Sequence, residues 1–189
     1  MQISMGGDSL DLATWQFINT FADWFSAFGT ISAVVVALYL ARRDKSIRLE
    51  VFAGHRLLIT PGQSESPPEY VCIGIVNVGH RETQITNIGW KVGFLKKKFA
   101  IQTVMRDGIS SPLPIRLRDG DEARYYIPLQ GDLRWLVDFA EKMLQPNPKM
   151  RLRFLRIQVF TSVGTSFDVK IEKGLRNKLL DYIAGKDLP

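Results

Sequence analysis

The stretch Thr14–Arg43, TWQFINTFADWFSAFGTISAVVVALYLARR, decides how this chain folds. Within it, no charged residue occurs from Trp24 to Leu40. A helix rises about 1.5 Å per residue, so the part from Phe21 to Ala41 reaches the ~30 Å thickness of a bilayer's hydrocarbon core. The stretch therefore predicts a single transmembrane helix, which we expect to occupy residues 14–45.

The two faces of this predicted helix differ. Polar or small residues recur along one face at steps of four and three, which is the seam of a helix packed with a period of about 3.5. Helices in lipid associate through small residues and polar contacts, so this seam predicts the interior of an oligomeric bundle. The seam consists of Asn19, Asp23, Ser26, Thr30, Ala33 and Ala37. The opposite, lipid-facing series consists of Phe17, Phe21, Trp24, Phe28, Ile31, Val35 and Leu38.

Asp23 is the seam residue that a plain anchor does not need. A carboxylate costs ~2.5 kcal/mol or more at the centre of a transmembrane helix, and such residues mark ion pathways or partners. Several copies of the seam would line a pore that narrows towards Ala33 and Ala37. The alternative interpretation is a simple anchor with Asp23 in the outer interface.

Positive charge lies on one side of the predicted span. The chain has a net charge of +6, yet residues 1–23 contain three Asp and no Lys or Arg. Arg42, Arg43, Lys45 and Arg48 follow the apolar stretch directly, and the positive-inside rule then predicts a cytoplasmic C-terminal side. We expect residues 1–13 to be a short extracytoplasmic segment and residues 46–189 to be a cytosolic domain.

After Arg48 the hydrophobic period changes from helical to two. Short strand-like runs separated by turn sequences predict an all-β domain, an immunoglobulin-like β-sandwich with one or two added helices. A small barrel is the alternative. The predicted strands are 48–60, 70–78, 83–94, 99–105, 115–117, 123–129, 151–160 and 166–171, and the predicted helices are 132–144 and 173–183.

The sequence offers little from which to build a catalytic centre. It has two histidines, His55 and His80, and one cysteine, Cys72. No zinc-ligand spacing, phosphate-binding glycine loop or nucleophile elbow occurs. We expect no enzymatic activity, no metal and no cofactor.

Positive charge beside aromatic rings is the remaining chemical signal. Arginine forks match phosphate groups, and aromatic faces stack on bases, so the pattern predicts a site for a nucleotide or a short single-stranded nucleic acid. The alternatives are a solvated surface, attraction to anionic lipid or a protein partner. The candidate ligand-binding residues are Lys96, Lys97 and Lys98, which stand between Phe94 and Phe99, and the pairs Arg116 with Arg118 and Arg151 with Arg153, each alternating along a predicted strand.

The segment Asp23–Asp44, DWFSAFGTISAVVVALYLARRD, precedes a domain with Val-Asn-Val-Gly at 76–79 and Thr-Asn-Ile-Gly at 86–89 in predicted turns. This combination resembles small bacterial single-pass membrane proteins with a cytosolic β-domain. It is similar to the ion-channel-like membrane effector of the Hailong anti-phage defence system. The resemblance implies a homo-oligomeric channel paired with a nucleotidyltransferase whose nucleic-acid product controls opening.

These observations predict a homo-oligomeric channel of the bacterial inner membrane, a tetramer, whose cytosolic domain senses an anionic ligand. Asp23 would form a ring of negative charge that selects cations at the outer mouth. The alternative function is a single-pass membrane-anchored interaction protein without a pore.

Overall fold

A computed structural model describes residues 8–59, 67–94, 96–105, 108–129 and 135–185, with side chains described from Trp24 onward except that of Asp44. The chain divides into two compact units, Met1–Ser46 and Ile47–Pro189. The first unit contains a single long helix. The second unit, called the β domain below, contains two antiparallel sheets and short helices.

Helix α1 is continuous from Asp8 to Lys45. Its part from Trp24 to Arg43 is long and apolar enough to cross a membrane, and all of these residues are exposed. The helix begins six residues before the start at Thr14 that hydropathy indicates, because hydropathy detects only the part that lipid can cover. Residues 1–7 lie outside the described part of the chain.

The β domain has eight described strands and three short helices, one of which continues as a π-helical turn. The strands are β1 Leu49–Leu57, β2 Glu69–Asn77, β3 Thr83–Val92, β4 Lys98–Ile101, β5 Ile115–Leu117, β6 Glu122–Pro128, β7 Arg156–Thr161 and β8 Ser166–Lys170. The helices are α2 Trp135–Phe139 with its π-helical turn Ala140–Leu144, α3 Pro148–Arg153 and α4 Lys173–Ile183.

Both sheets are antiparallel, and they enclose one core. The first sheet has the order β1-β2-β6, and the second has the order β4-β3-β7-β8, with β5 paired to the other end of β3. Strand β2 is the centre of the first sheet, in agreement with its apolar sequence on both faces. Inward side chains of both sheets form the core, among them Ile73, Trp90, Tyr125 and Ile157.

A pair of indole rings fixes helix α2 to strand β3. The ring of Trp90 lies 5.6 Å from that of Trp135 and 5.2 Å from that of Phe139. The Oε1 atom of Gln102 accepts hydrogen bonds from both indoles, at 2.8 Å from Trp90 Nε1 and 3.1 Å from Trp135 Nε1. One amide oxygen therefore satisfies both indole donors and sets the position of the helix.

Two sequence predictions are wrong in this domain. Residues 148–153 form helix α3, whereas the pattern predicts a strand from Arg151, so Arg151 and Arg153 do not alternate along a strand. Proline is favoured at the first position of a helix, and Pro148 starts this helix instead of only ending the one before it. The predicted turn at 86–89 lies inside β3, beside a register shift between Ile85 and Asn87.

Asn77 holds two turns together at one end of the domain. It is fully buried, and its Nδ2 donates to the carbonyls of Arg81 at 2.9 Å and Leu117 at 3.0 Å. Its Oδ1 accepts from the backbone N–H of Gly79 at 3.0 Å. The Val-Asn-Val-Gly sequence therefore has a structural role, since the amide joins the turn after β2 to the end of β5.

The hydroxyl of Tyr125, in strand β6, is a buried polar group for which the described residues provide no hydrogen-bond partner. Burial raises the pKa of Tyr125 to about 12. A buried hydroxyl without a partner costs ~1–3 kcal/mol, so we expect Tyr125→Phe to leave stability unchanged or raise it by about 1 kcal/mol at neutral pH.

The raised pKa of Tyr125 also gives a pH dependence with a definite sign. The folded state holds the phenolic proton more tightly than the unfolded chain, whose tyrosines titrate near pH ~10. The native protein therefore loses stability as the pH rises above about 10, and Tyr125→Phe removes this part of the loss. Urea unfolding at neutral pH and at about pH 11 measures both effects, and a variant destabilised at neutral pH would contradict the expectation.

Candidate functional sites on the helix and the β domain

The predicted seam of helix α1 is only partly described. Ser26, Thr30, Ala33 and Ala37 are exposed on the helix, whereas the side chains of Asn19 and Asp23 lie outside the described side chains. The Oγ1 atom of Thr30 donates to the backbone oxygen of Ser26 at 2.9 Å. This hydroxyl is thus satisfied within its own helix, as is common for Ser and Thr in membrane helices.

The predicted ligand-binding residues separate into two groups in the β domain. Lys96, Lys97 and Arg151 border depressions around Phe94. Arg116 lies on β5, opposite Gln84 at the start of β3. About seven strand residues, or ~23 Å, separate Gln84 from Lys91 near the other end of that strand. The predicted arginines and lysines therefore do not form one site.

Carboxylates surround the group at the β5 end. Arg116 lies 3.9 Å from Glu82, and the backbone N–H of Arg118 donates to Asp121. The Nδ1 atom of His80 lies 2.7 Å from Asp119 in the same turn region. These acidic groups offset the arginines, so this end has little attraction for an anion.

Lys98 and Arg151 have structural contacts of their own. Lys98 Nζ donates to the carbonyls of Lys142 at 2.9 Å and Gln145 at 3.3 Å, and so binds the end of the π-helical turn. Arg151 Nη1 donates to the carbonyl of Met143 at 3.2 Å. Lys98 is therefore a support for the turn more than a ligand contact.

Phe94 and Phe154 form an exposed aromatic pair, with ring centroids 5.5 Å apart. They line a depression of ≈ 460 Å³ together with Gly93, Met150 and other residues. Gly93 has φ +104°, and a Cβ there would lie 2.4 Å from the carbonyl oxygen of Lys96. Only glycine fits this turn, which presents Phe94 beside the lysines.

Five cationic residues lie close in the chain to Phe94, Met150 and Phe154. Within the described part of the chain, no carboxylate lies within ion-pair distance of any of them, although Arg151 contacts a carbonyl. Lys149, Arg151 and Arg153 lie on helix α3, and Lys96 and Lys97 follow Phe94. We call Phe94, Met150 and Phe154 with Lys96, Lys149, Arg151 and Arg153 the basic apolar patch.

A second cationic feature lies on the outward face of the larger sheet. Lys91 of β3 is directly opposite Arg156 of β7, which is directly opposite Lys170 of β8. We call these three residues, with the adjacent Lys97, the cationic row. Like charges directly opposite each other destabilise a sheet, and the Lys91–Asp168 ion pair relieves only part of this repulsion.

Aromatic and concave surface accompanies the cationic row. The Nζ atom of Lys91 lies 5.9 Å from the ring centroid of Phe99. A depression of ≈ 300 Å³ is lined by the residues Lys91, Gly93, Phe94, Lys97, Phe154, Arg156 and Asp168. The four cations of this row, with Asp168 as the carboxylate that the described residues place beside them, have the chemistry to hold a polyanion.

Glu69 and Cys72 are among the titratable groups with a structural role. Glu69 Oε2 lies 3.0 Å from His55 Nε2 and 2.9 Å from Lys178 Nζ, which ties β1 and α4 to β2. Cys72 is buried in β2, and this burial raises the pKa of its thiol. Among the described residues, no group of three or more His, Cys, Asp or Glu side chains could hold a metal ion.

Comparison with known proteins gives structural similarities of low score, among them two solved structures. No family model matches the chain, and no curated protein does. The X-ray structure of Northeast Structural Genomics Consortium target SoR45 is 13% identical, with 68% of this chain and 84% of that chain covered and a TM-score of 0.29. A protein from Bordetella pertussis described as ApaA is 17% identical, with 68% and 91% covered and a TM-score of 0.31. Scores of this size do not establish a shared fold.

Proposed function

We propose that this protein is a homo-oligomeric ion channel of the bacterial inner membrane whose β domain lies in the cytoplasm and binds an anionic nucleotide or oligonucleotide that controls the pore. The observation that carries the proposal is the helix segment Trp24–Arg43, which is apolar, long enough to span a bilayer and exposed at every residue. An apolar helix exposed on all sides needs lipid, other helices or both around it.

The two faces of the helix support association with other copies. Ser26, Thr30, Ala33 and Ala37 allow close approach of neighbouring helices, and the opposite face carries Phe28, Ile31, Val35 and Leu38 for lipid. In a tetramer the seam would face the central axis, with Asp23 at its outer mouth. A role in anti-phage defence is part of the proposal. It follows only from the resemblance to the membrane effector of the Hailong system.

The orientation follows from charge. Arg42, Arg43 and Lys45 lie in the last turn of α1, and the positive-inside rule keeps such residues in the cytoplasm. The N-terminus would then face outward, and the β domain would meet cytoplasmic ligands.

The β domain is proposed to be an immunoglobulin-like sandwich. If β1 to β8 are named A, B, C, C′, D, E, F and G, the sheet orders read A-B-E and C′-C-F-G. These are the groupings of strands in immunoglobulin-like sandwiches, except that β5 pairs with β3 instead of joining the sheet of β6.

The cationic row is the proposed ligand site. Its three aligned cations and the neighbouring Lys97 favour a ligand with several phosphates, and Phe99, whose ring centroid lies 5.9 Å from Lys91 Nζ, offers a face for a base. A nucleotidyltransferase is the class of enzyme that would supply such a ligand.

A second candidate function is a membrane anchor that presents the β domain as an interaction module. The bond from Thr30 Oγ1 to the Ser26 carbonyl favours it, because a hydroxyl satisfied within its own helix does not need water or a partner helix. This candidate predicts a monomer or dimer and no conductance.

Planar-bilayer recording of the purified full-length protein tests the pore. We expect discrete conductance that Ala33→Leu lowers strongly, because a larger side chain on the seam would obstruct the narrow end of the pore. Ile31→Leu introduces the same residue on the opposite face and should leave conductance unchanged. Silence of the wild-type protein would favour the anchor, and equal effects of both substitutions on a conducting protein would show that the seam does not line the pore.

A further inference from the structure

The basic apolar patch joins three exposed apolar side chains to four cations on the described surface of the β domain. Phe94, Met150 and Phe154 expose 70%, 56% and 37% of their surfaces. Neighbouring cations have no described carboxylate partner. Large apolar side chains that are exposed together mark contact surfaces, so these three call for an occupant.

We propose that the basic apolar patch docks on the anionic surface of the cytoplasmic leaflet, with Phe94, Met150 and Phe154 entering the headgroup region and Lys96, Lys149, Arg151 and Arg153 contacting lipid phosphates. This proposal rests on the proposed membrane span and its orientation, and it does not depend on the pore or on the ligand.

Charge complementarity selects lipid as the occupant. An anionic leaflet attracts Lys and Arg side chains, and apolar side chains beside cations are the pattern of surfaces that lie in the membrane interface. The depression of ≈ 460 Å³ fits this role. Its lining includes Phe94, Met150 and Phe154, and it offers few polar atoms that could hydrogen-bond a specific ligand.

Covalent linkage makes the encounter efficient. Helix α1 ends at Lys45 and strand β1 begins at Leu49, so the β domain cannot diffuse away from a bilayer that the helix spans. A surface held close to its target needs little intrinsic affinity, because the effective concentration of the tethered partner is high.

The experiment uses the full-length protein in lipid nanodiscs with an environment-sensitive fluorophore on an introduced cysteine. Cys72 is buried, so the probe reacts at the introduced site. Met150→Cys reports on the patch, and Val163→Cys, of similar exposure at 54%, is the matched control on the β7–β8 turn. Val35→Cys on the helix reports on the membrane span itself.

The nanodiscs contain equal parts of phosphatidylcholine and phosphatidylglycerol. In them we expect the fluorescence emission of the label at position 150 to shift to the blue and to be quenched by spin-labelled lipid. Lys96→Glu with Arg151→Glu should abolish both signals, and the label at position 163 should give neither. A label at 150 that stays in water while the label at 35 is in lipid would overturn the docking proposal alone. If the labels at position 150 and at position 35 are both in water, the membrane span is refuted. Protection of position 150 by an added oligonucleotide instead of lipid would also overturn the docking proposal.

Discussion

Replacement of Asn77 by alanine is expected to destabilise the β domain by about 3–5 kcal/mol, because the change removes the hydrogen bonds of a buried amide to three backbone groups. These groups are the carbonyls of Arg81 and Leu117 and the N–H of Gly79, each now 2.9–3.0 Å from the Asn77 amide. Asn77 is fully buried, so bulk water does not reach this amide in the native domain. For a domain of this size the loss corresponds to a fall in Tm of about 10–15 °C.

Asn87 provides a matched control, since it stands in a similar tetrapeptide, Thr-Asn-Ile-Gly, but is exposed on β3. We expect Asn87→Ala to change stability by less than about 0.5 kcal/mol. Thermal unfolding of the full-length protein, followed by the aromatic circular dichroism of Trp90 and Trp135, measures both. Equal Tm values for the two variants would show that the turn does not depend on the Asn77 amide.

Most elements of the β domain could be predicted because local sequence controls them. Alternation of apolar residues gives β3 and β6 to within two residues, and the apolar stripe of 173–183 gives helix α4 with its observed ends. Helix α3 could not be predicted, because a six-residue helix has too few turns to show a helical period. The Pro-Asn-Pro sequence before it fits both the end of one helix and the start of another.

The site was harder to predict than the fold. Lys91, Arg156 and Lys170 each occupy an outward position on a predicted strand, so the sequence held the signal that they face solvent. Their alignment depends on the registers of β3 with β7 and of β7 with β8, which join residues far apart in the chain. Register is set by the core packing of both sheets, and neighbouring residues in the sequence do not reveal it. Conversely, Arg116 and Arg118 resemble the lysines in sequence, since both groups are cations near predicted strands. In the structure, carboxylates contact these two arginines.

Neutralising the cationic row should weaken binding of a short single-stranded oligonucleotide by about 100-fold at low salt, if the row is the ligand site. The variant combines Lys97→Gln, Arg156→Gln and Lys170→Gln, which leaves the Lys91–Asp168 ion pair in place. Each phosphate contact contributes about 0.7 to the slope of log K against log salt, so the slope should fall by about 2. Fluorescence anisotropy over a salt series gives both quantities.

The control variant for the cationic row loses the same number of positive charges, but near the Thr83 end of β3 instead of the Lys91 end. Arg48→Gln, Arg116→Gln and Arg118→Gln together also remove three positive charges, and all three residues are exposed. If binding reflects only the net charge of the protein, the two triple variants will weaken it equally, whereas a ligand held across β3, β7 and β8 requires the first variant to have a much larger effect. Because long-range attraction fades beyond a Debye length of ~8–10 Å, moderate salt should widen the difference between them. Equal losses at all salt concentrations would therefore reject the cationic row as the binding site and leave a diffuse electrostatic attraction in its place.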